Sequence, residues 1–200
     1  MGVTMSDPLI DADDENATPL TLEERSALIP TYITLRRELN EVEQIGIDDA
    51  DRWAFARKRE VLDENFLCAL HKRMFNDVRR WAGTFRKTPR NIGVDAWNIA
   101  PELRTLIDDV RYWMEHQTYI ADEIAIRFSH RLVWIHPFPN GNGRMSRLAG
   151  DLLAVQLGRS RFSWGSGNLI AADVLRRRYI DALHAADAHD ITPLLAFARA

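Results

Sequence analysis

The 200-residue sequence predicts an all-α, mainly helical protein. Apolar side chains recur at three- and four-residue intervals through most of the chain, as they do on the inward face of a packed helix. Only one stretch, residues 84–94, leans toward β structure. The 10 glycines and 8 prolines are too few for a low-complexity or collagen-like chain.

Taken in order, residues 1–18 are polar and acidic and read as a mobile arm, with one domain over 19–200. Leu62, Phe66, Leu70 and Met74 repeat at i,i+4. Leu103, Leu106, Val110 and Trp113 mark a second helix. Ile124, Phe128, Leu132 and Ile135 mark a third that leads into His136. Leu148, Leu152 and Val155 form the inward stripe of the next helix, and Leu175, Tyr179 and Leu183 that of a later one. Residues 84–94 carry β-leaning side chains around a Pro-containing turn and fit a short hairpin.

The chemistry concentrates in residues 136–147, His-Pro-Phe-Pro-Asn-Gly-Asn-Gly-Arg-Met-Ser-Arg. Gly141 and Gly143 tolerate positive φ, so consecutive backbone N–H groups can turn into one concavity, and Asn142 adds a side-chain amide. A helix starting near Gly143 aims its unpaired N–H groups and positive dipole end at the same place. Arg144 and Arg147 share one face at i,i+3. The ligand this layout suits is polyanionic. His136, just upstream, is the side-chain type best matched to proton transfer near neutral pH. A buried helix, a rigid loop holding Pro137 and Pro139, and a second helix under the phosphates give a helix-loop-helix active site.

This segment resembles the signature of the Fic (filamentation induced by cAMP) family, His-x-Phe-x-(Asp/Glu)-Gly-Asn-Gly-Arg-x-x-Arg, with Asn140 where that family most often has an acid. The resemblance implies a Fic fold and transfer of AMP from ATP to a Ser, Thr or Tyr hydroxyl of a target protein. It implies that His136 accepts the hydroxyl proton and that Phe138 anchors the loop. Gly141, Asn142 and Gly143 would hold the α- and β-phosphates, and Arg144 and Arg147 would neutralise charge toward the β- and γ-phosphates. Close variants on this scaffold transfer phosphate or remove AMP, and a non-catalytic nucleotide-dependent binding module is the other class of function. Relatives with an acid at the Asn140 position use it to help hold magnesium. Asn140 keeps a carbonyl oxygen without the charge, so the expectation is Mg²⁺-ATP with weaker metal binding from the protein.

In similar proteins a hairpin called the flap pairs with an extended segment of the target. Here Thr84, Phe85, Arg86, Asn91, Ile92 and Gly93 are its counterparts. Many Fic proteins also carry an inhibitory helix whose glutamate pairs with the second arginine of the signature. The segment 30–46 holds two such glutamates: Glu43, in Val42-Glu43-Gln44-Ile45, and Glu38, preceded by Thr34. Glu43 fits the local texture of that motif better, which makes Arg147 its expected partner.

Residues 32–43, 79–86, 91–93, 112–118 and 162–165 further resemble one bacterial subgroup, mobile mystery protein B. That kinship implies a helix-turn-helix partner, mobile mystery protein A.

The composition sets bounds on other classes. With 46% hydrophobic and 28% charged residues and a net charge of −3, the chain is of globular type without the basic excess of a general nucleic-acid binder. No apolar run approaches the roughly 18 residues of a membrane span, and the first residues lack a signal peptide's basic start and apolar stretch. The single cysteine, Cys68, cannot form an internal disulfide and suits a reducing, cytoplasmic compartment. His71, His116, His130, His184 and His189 show no metal-ligand spacing, so no zinc site is expected.

Overall fold

A computed structural model describes residues 26–30, 32–33, 36–166 and 172–200. The predicted arm at 1–18 lies outside them, as does Thr34. The described chain is helical, in the order α1 (Arg36–Phe55), α2 (Glu64–Phe75), a short 3₁₀ turn (Ala96–Asn98), α3 (Ile99–Glu115), α4 (Ala121–Ile135), α5 (Asn142–Gln156), α6 (Ala172–Asp187) and α7 (Thr192–Arg199).

The α4–α5 pair is the centre of the structure. Ile124, Ala125, Phe128, Leu132 and Ile135 of α4 are buried against Met145, Leu148, Ala149, Leu152 and Leu153 of α5. The stripe on α5 is thus rotated from its sequence reading. Val155, expected inward, is 42% exposed, because Ala149 and Leu153 lie where the two helices touch. α3 covers α4 with Leu103, Leu106 and Val110. α2 brings Leu67, Leu70, Met74 and Phe75 toward α5, and α7 closes the far side with Leu194 and Ala198. Burying each large aliphatic or aromatic side chain contributes about 1.5–3 kcal/mol, so this one contiguous core dominates stability.

Local signals account for the element ends. Asp63 caps α2, its carboxylate accepting the Phe66 amide at 2.8 Å. α4 ends because His136 takes a left-handed conformation, φ 54° and ψ 60°, which L-residues other than Gly rarely adopt. α5 begins after Gly141, which is also left-handed at φ 82°. Helix α1 crosses α2 closely at Gly46, where a Cβ would stand 2.5 Å from the Met74 carbonyl oxygen. That approach seats Glu43, one turn earlier, over the end of α2. A short antiparallel bridge reinforces it: Ile29 donates to Val78 O at 2.9 Å and Arg80 to Ala27 O at 3.1 Å. Leu28, Ile33, Leu39 and Val78 make a small second cluster beneath.

Candidate active site

The residues singled out between 136 and 147 run from the end of α4 through the loop into the first turns of α5. The Asn142 side chain works inward: its Oδ1 accepts the Phe138 amide at 2.9 Å and its Nδ2 donates to Phe138 O at 2.8 Å. This closes the loop around Phe138, which is wholly buried and packs against the Phe85 ring at 5.5 Å between centroids. Asn142 therefore shapes the cradle with its side chain, and its backbone N–H is one of the first-turn amides that an α-helix leaves without an internal acceptor. The amides of Gly143 and Arg144 belong to the same turn. A Cβ built on Gly143 meets nothing within 4 Å, so open space lies at this helix end. Positive potential and free donors converge there, as an anion requires.

His136 is 5% exposed, and neither ring nitrogen completes a hydrogen bond of ordinary geometry. Burial, then the Arg86 and Arg90 cations, push its pKa down to about 4, against a smaller upward pull from the Val133 backbone. The ring is therefore neutral at physiological pH and has a lone pair to accept a proton.

Arg86, read from sequence as part of a target-docking flap, is buried at 3% exposure. Its Nε donates to the His136 carbonyl at 2.7 Å, and its terminal nitrogens donate to Thr88 O at 3.1 Å, to Ile135 O at 3.4 Å and to Val94 O. A guanidinium thus caps the carbonyl end of α4, where a cation also complements the dipole. Two backbone bonds add to this seam, Arg86 N to Pro137 O at 2.9 Å and Val94 N to Ile135 O at 3.3 Å. Segment 84–94 runs as irregular chain with bends, and no strand ladder occurs in it among the described residues. The reason is that its polar groups bond to the end of α4 instead of to each other. Thr84, Asn91 and Ile92 face outward, Ile92 at 48% exposure. Phe85 is half-buried, and the Gly93 backbone lies against His136.

The glutamate expected to meet Arg147 meets other arginines. Glu43, 1% exposed, accepts from Arg79 Nε at 2.7 Å through Oε1 and from Arg144 at 2.6 Å through Oε2. Arg147 instead sets its guanidinium 4.8 Å from the centre of the Tyr179 ring. The correction follows from where α1 crosses. Gly46 places Glu43 over the C-terminal end of α2, on the side of α5 that carries Arg144, whereas Arg147 points toward α6. Burial would raise the Glu43 carboxyl, but Arg144 and Arg79 outweigh it and hold it below the usual carboxylate range. The alternative Glu38 lies further up α1 and is half-buried.

Asn140, the candidate metal ligand, is turned toward its own backbone. Its Oδ1 accepts the Gly141 amide at 2.7 Å, its group is neutral, and no cluster of three or more His, Cys, Asp or Glu able to hold a metal occurs among the described residues.

Two contributors escaped the sequence reading. Arg79 lies in the 79–86 stretch of the subgroup resemblance, which assigns it no role. His71 was set aside for lacking metal-ligand spacing, yet it touches the loop directly. Cys68 is half-buried, and burial pushes its thiol up to about 11, as suits a packing residue rather than a nucleophile.

A helix pair that presents a buried imidazole beside an anion cradle defines the class of protein. Residues 61–154 match the model of the Fic/DOC family, and the chain carries a Fic/DOC family domain. It is 28% identical over 167 residues to the protein adenylyltransferase Fic of Culex quinquefasciatus and 31% identical over 170 residues to protein adenylyltransferase fic-1 of Caenorhabditis briggsae. Each match covers 80% of this chain and 32% of the relative, so the chain spans about a third of the length of those proteins. Among solved structures it is similar to the N-terminal Fic domain of a Bartonella quintana effector with bound ADP (TM-score 0.66, 18% identity, 88% of this chain and 94% of that one). It is also similar to BepC of Bartonella tribocorum with bound AMPPNP (TM-score 0.66, 18% identity, 90% and 97% covered). These structural likenesses show the mainly helical Fic fold.

Proposed function

We propose that this protein is a protein adenylyltransferase that moves AMP from ATP to a hydroxyl of a target protein and is restrained at rest by Glu43. The observation that carries the reading is the buried, unpartnered imidazole of His136 beside the open first turn of α5. The two matched relatives, both protein adenylyltransferases, point the same way.

The target hydroxyl oxygen attacks the α-phosphorus, the bond from that phosphorus to the bridging oxygen breaks, pyrophosphate leaves, and the hydroxyl proton passes to His136. The amides of Asn142, Gly143 and Arg144 and the Arg144 and Arg147 cations stabilise charge on the phosphates, which is the main demand of phosphoryl-type transfer. The 84–94 segment serves as the target platform through Thr84, Asn91 and Ile92. Its inner side is engaged by Arg86.

Restraint follows from charge competition. While Glu43 holds Arg144 at 2.6 Å, that cation is not free to meet a phosphate. Asn140 offers magnesium only a neutral oxygen already bonded to Gly141, so these residues do not fit a protein-held magnesium ion, and its charge is left to ATP's own phosphates. Kinship with mobile mystery protein B extends the proposal to a helix-turn-helix partner, mobile mystery protein A, and the single cysteine, Cys68, supports a cytoplasmic setting. No described helix is long and apolar enough to cross a membrane.

The test is intact-mass analysis of the protein and its Glu43→Gly variant after incubation with magnesium and ATP. An added AMP mass that disappears in His136→Ala is the expected result. ATP binding without transfer, even from the Glu43→Gly variant, would assign the non-catalytic binding module instead.

A further inference from the structure

We propose that His71 is a positioning residue of this site: its imidazole donates from Nε2 to the Asn140 carbonyl and accepts the Gly83 amide at Nδ1, holding the phosphate cradle and the root of the 84–94 segment in one register. The inference rests on the nucleotide-binding reading above and adds a residue to it.

The geometry admits one assignment of the ring proton. A backbone amide can only donate, so the Gly83 N–H, 3.0 Å from Nδ1, requires a lone pair there. The proton is then on Nε2, which lies 2.9 Å from the Asn140 carbonyl oxygen. Neither bond belongs to a helix. Asn140 precedes the N-cap, so its carbonyl lies outside the α5 ladder, whose first bond runs from Met145 N to Gly141 O at 3.1 Å. A buried carbonyl without a donor would cost about 1–3 kcal/mol.

The ring face does further work. It stacks on Phe138 at 3.8 Å between centroids and 19° between planes, and it tilts against Phe75 at 4.8 Å. The cradle loop is therefore gripped by edge and by face from a residue of α2, an element with a rigid, fully buried inner side. Gly141 is left-handed, and a Cβ there would stand 3.3 Å from His71 Nε2 and 2.6 Å from the Phe75 ring. The glycine backbone thus lies directly on this support. Rotating the Asn140–Gly141 peptide would swing the first-turn amides away from a bound phosphate. Burial keeps the imidazole neutral by lowering its pKa to about 3, which preserves the acceptor at Nδ1 across the working pH range.

Because the two ring nitrogens serve different segments, two substitutions separate them. In His71→Gln the side-chain amide nitrogen falls near the position of Nε2 and retains the bond to Asn140. In His71→Asn the side-chain oxygen falls near Nδ1 and retains the bond to Gly83. ATP affinity, measured by calorimetric titration of the whole protein, should fall at least tenfold in His71→Leu and His71→Asn and stay within about threefold of wild type in His71→Gln. Amide hydrogen exchange should accelerate over 138–146 in the Asn variant and over 83–94 in the Gln variant. Equal ATP affinity in all three variants and wild type, or equal losses in Gln and Asn with uniform exchange, would reduce His71 to core packing and overturn the proposal. If His71→Leu does not fold, the Gln and Asn pair decides. ATP binding with no AMP transfer, in the Glu43→Gly variant as well as in wild type, would end the adenylyltransferase reading and leave this inference standing. Failure of wild type to bind ATP would end both.

Discussion

Arg86 donates from Nε to the backbone carbonyl of His136 at 2.7 Å, so the 84–94 segment is anchored to the proposed proton acceptor through its main chain rather than through its ring. The contact does two things. It satisfies the carbonyl end of α4, where His136 is held left-handed, and it sets a positive charge near an imidazole that must stay neutral.

Removing that charge should therefore shift the pH response. His136 is held down to about 4, first by burial and then by Arg86, so the wild-type acid limb should lie near pH 4. In Arg86→Gln the folded-state pKa rises toward the ordinary 6.5, and activity should begin to fall at a higher pH. A pH–rate profile of AMP transfer checks this, and an unmoved limb would mean that burial alone sets the value. The same variant leaves α4 carbonyls short of donors, at about 1–3 kcal/mol for each group left unpaired, so a lower thermal midpoint is expected alongside.

Stability should also decline in acid, with a sign that the histidines fix. His71 and His136 have folded-state values of about 3 and about 4 against an ordinary 6.5, so the unfolded chain binds more protons over this range. Their contribution is fully present above pH 6.5 and is lost as pH falls toward 4 and then 3. Urea midpoints measured from pH 7 to pH 4 should fall, and His71→Gln should flatten the slope. A pH-independent midpoint would contradict the buried, neutral assignment.

The Glu43 variant should separate activity from stability. Glu43→Gly releases Arg144 for phosphate and should raise AMP transfer, yet it leaves Arg79, 2% exposed, without its carboxylate. Breaking a buried pair from one side costs about 3–5 kcal/mol. Glu43→Met combined with Arg79→Leu removes both charges, so it should recover most of that loss while keeping the gain in transfer. Thermal denaturation beside the transfer assay decides, and a single variant as stable as wild type would show that water reaches Arg79.

Two glycines of the motif should answer alanine differently. Gly141→Ala places a Cβ 2.6 Å from the Phe75 ring at φ 82° and should destabilise the fold as a whole. Gly143→Ala meets only open space and gains about 0.5–1 kcal/mol of helix propensity, so the fold should hold or stiffen. Its methyl group stands at the cradle, and ATP affinity should drop about tenfold. Denaturation and calorimetry on both proteins test the contrast.

Much of this was legible in linear order. The apolar spacing from Ile124 to Ile135 and from Leu148 to Leu152 placed the two central helices, and the cluster from His136 to Arg147 marked where an anion would lie, because both signals are local. Val155 was misassigned since period alone fixes a stripe's width poorly, and the contact with α4 rotated it toward Ala149 and Leu153. Sequence spacing does not tell that the end of α4 lies beneath Arg86, so its bonds to that end were not legible.

What the sequence by itself determined is the helical class and the identity of the motif, both encoded within one or two helical turns. Only the tertiary structure decided which arginine Glu43 meets and what His71 is for. Glu43 and Arg144 are 101 residues apart, and His71 and Asn140 are 69 apart. Such pairings depend on the angle at which α1 and α2 cross the central pair, and packing across the whole core sets that angle.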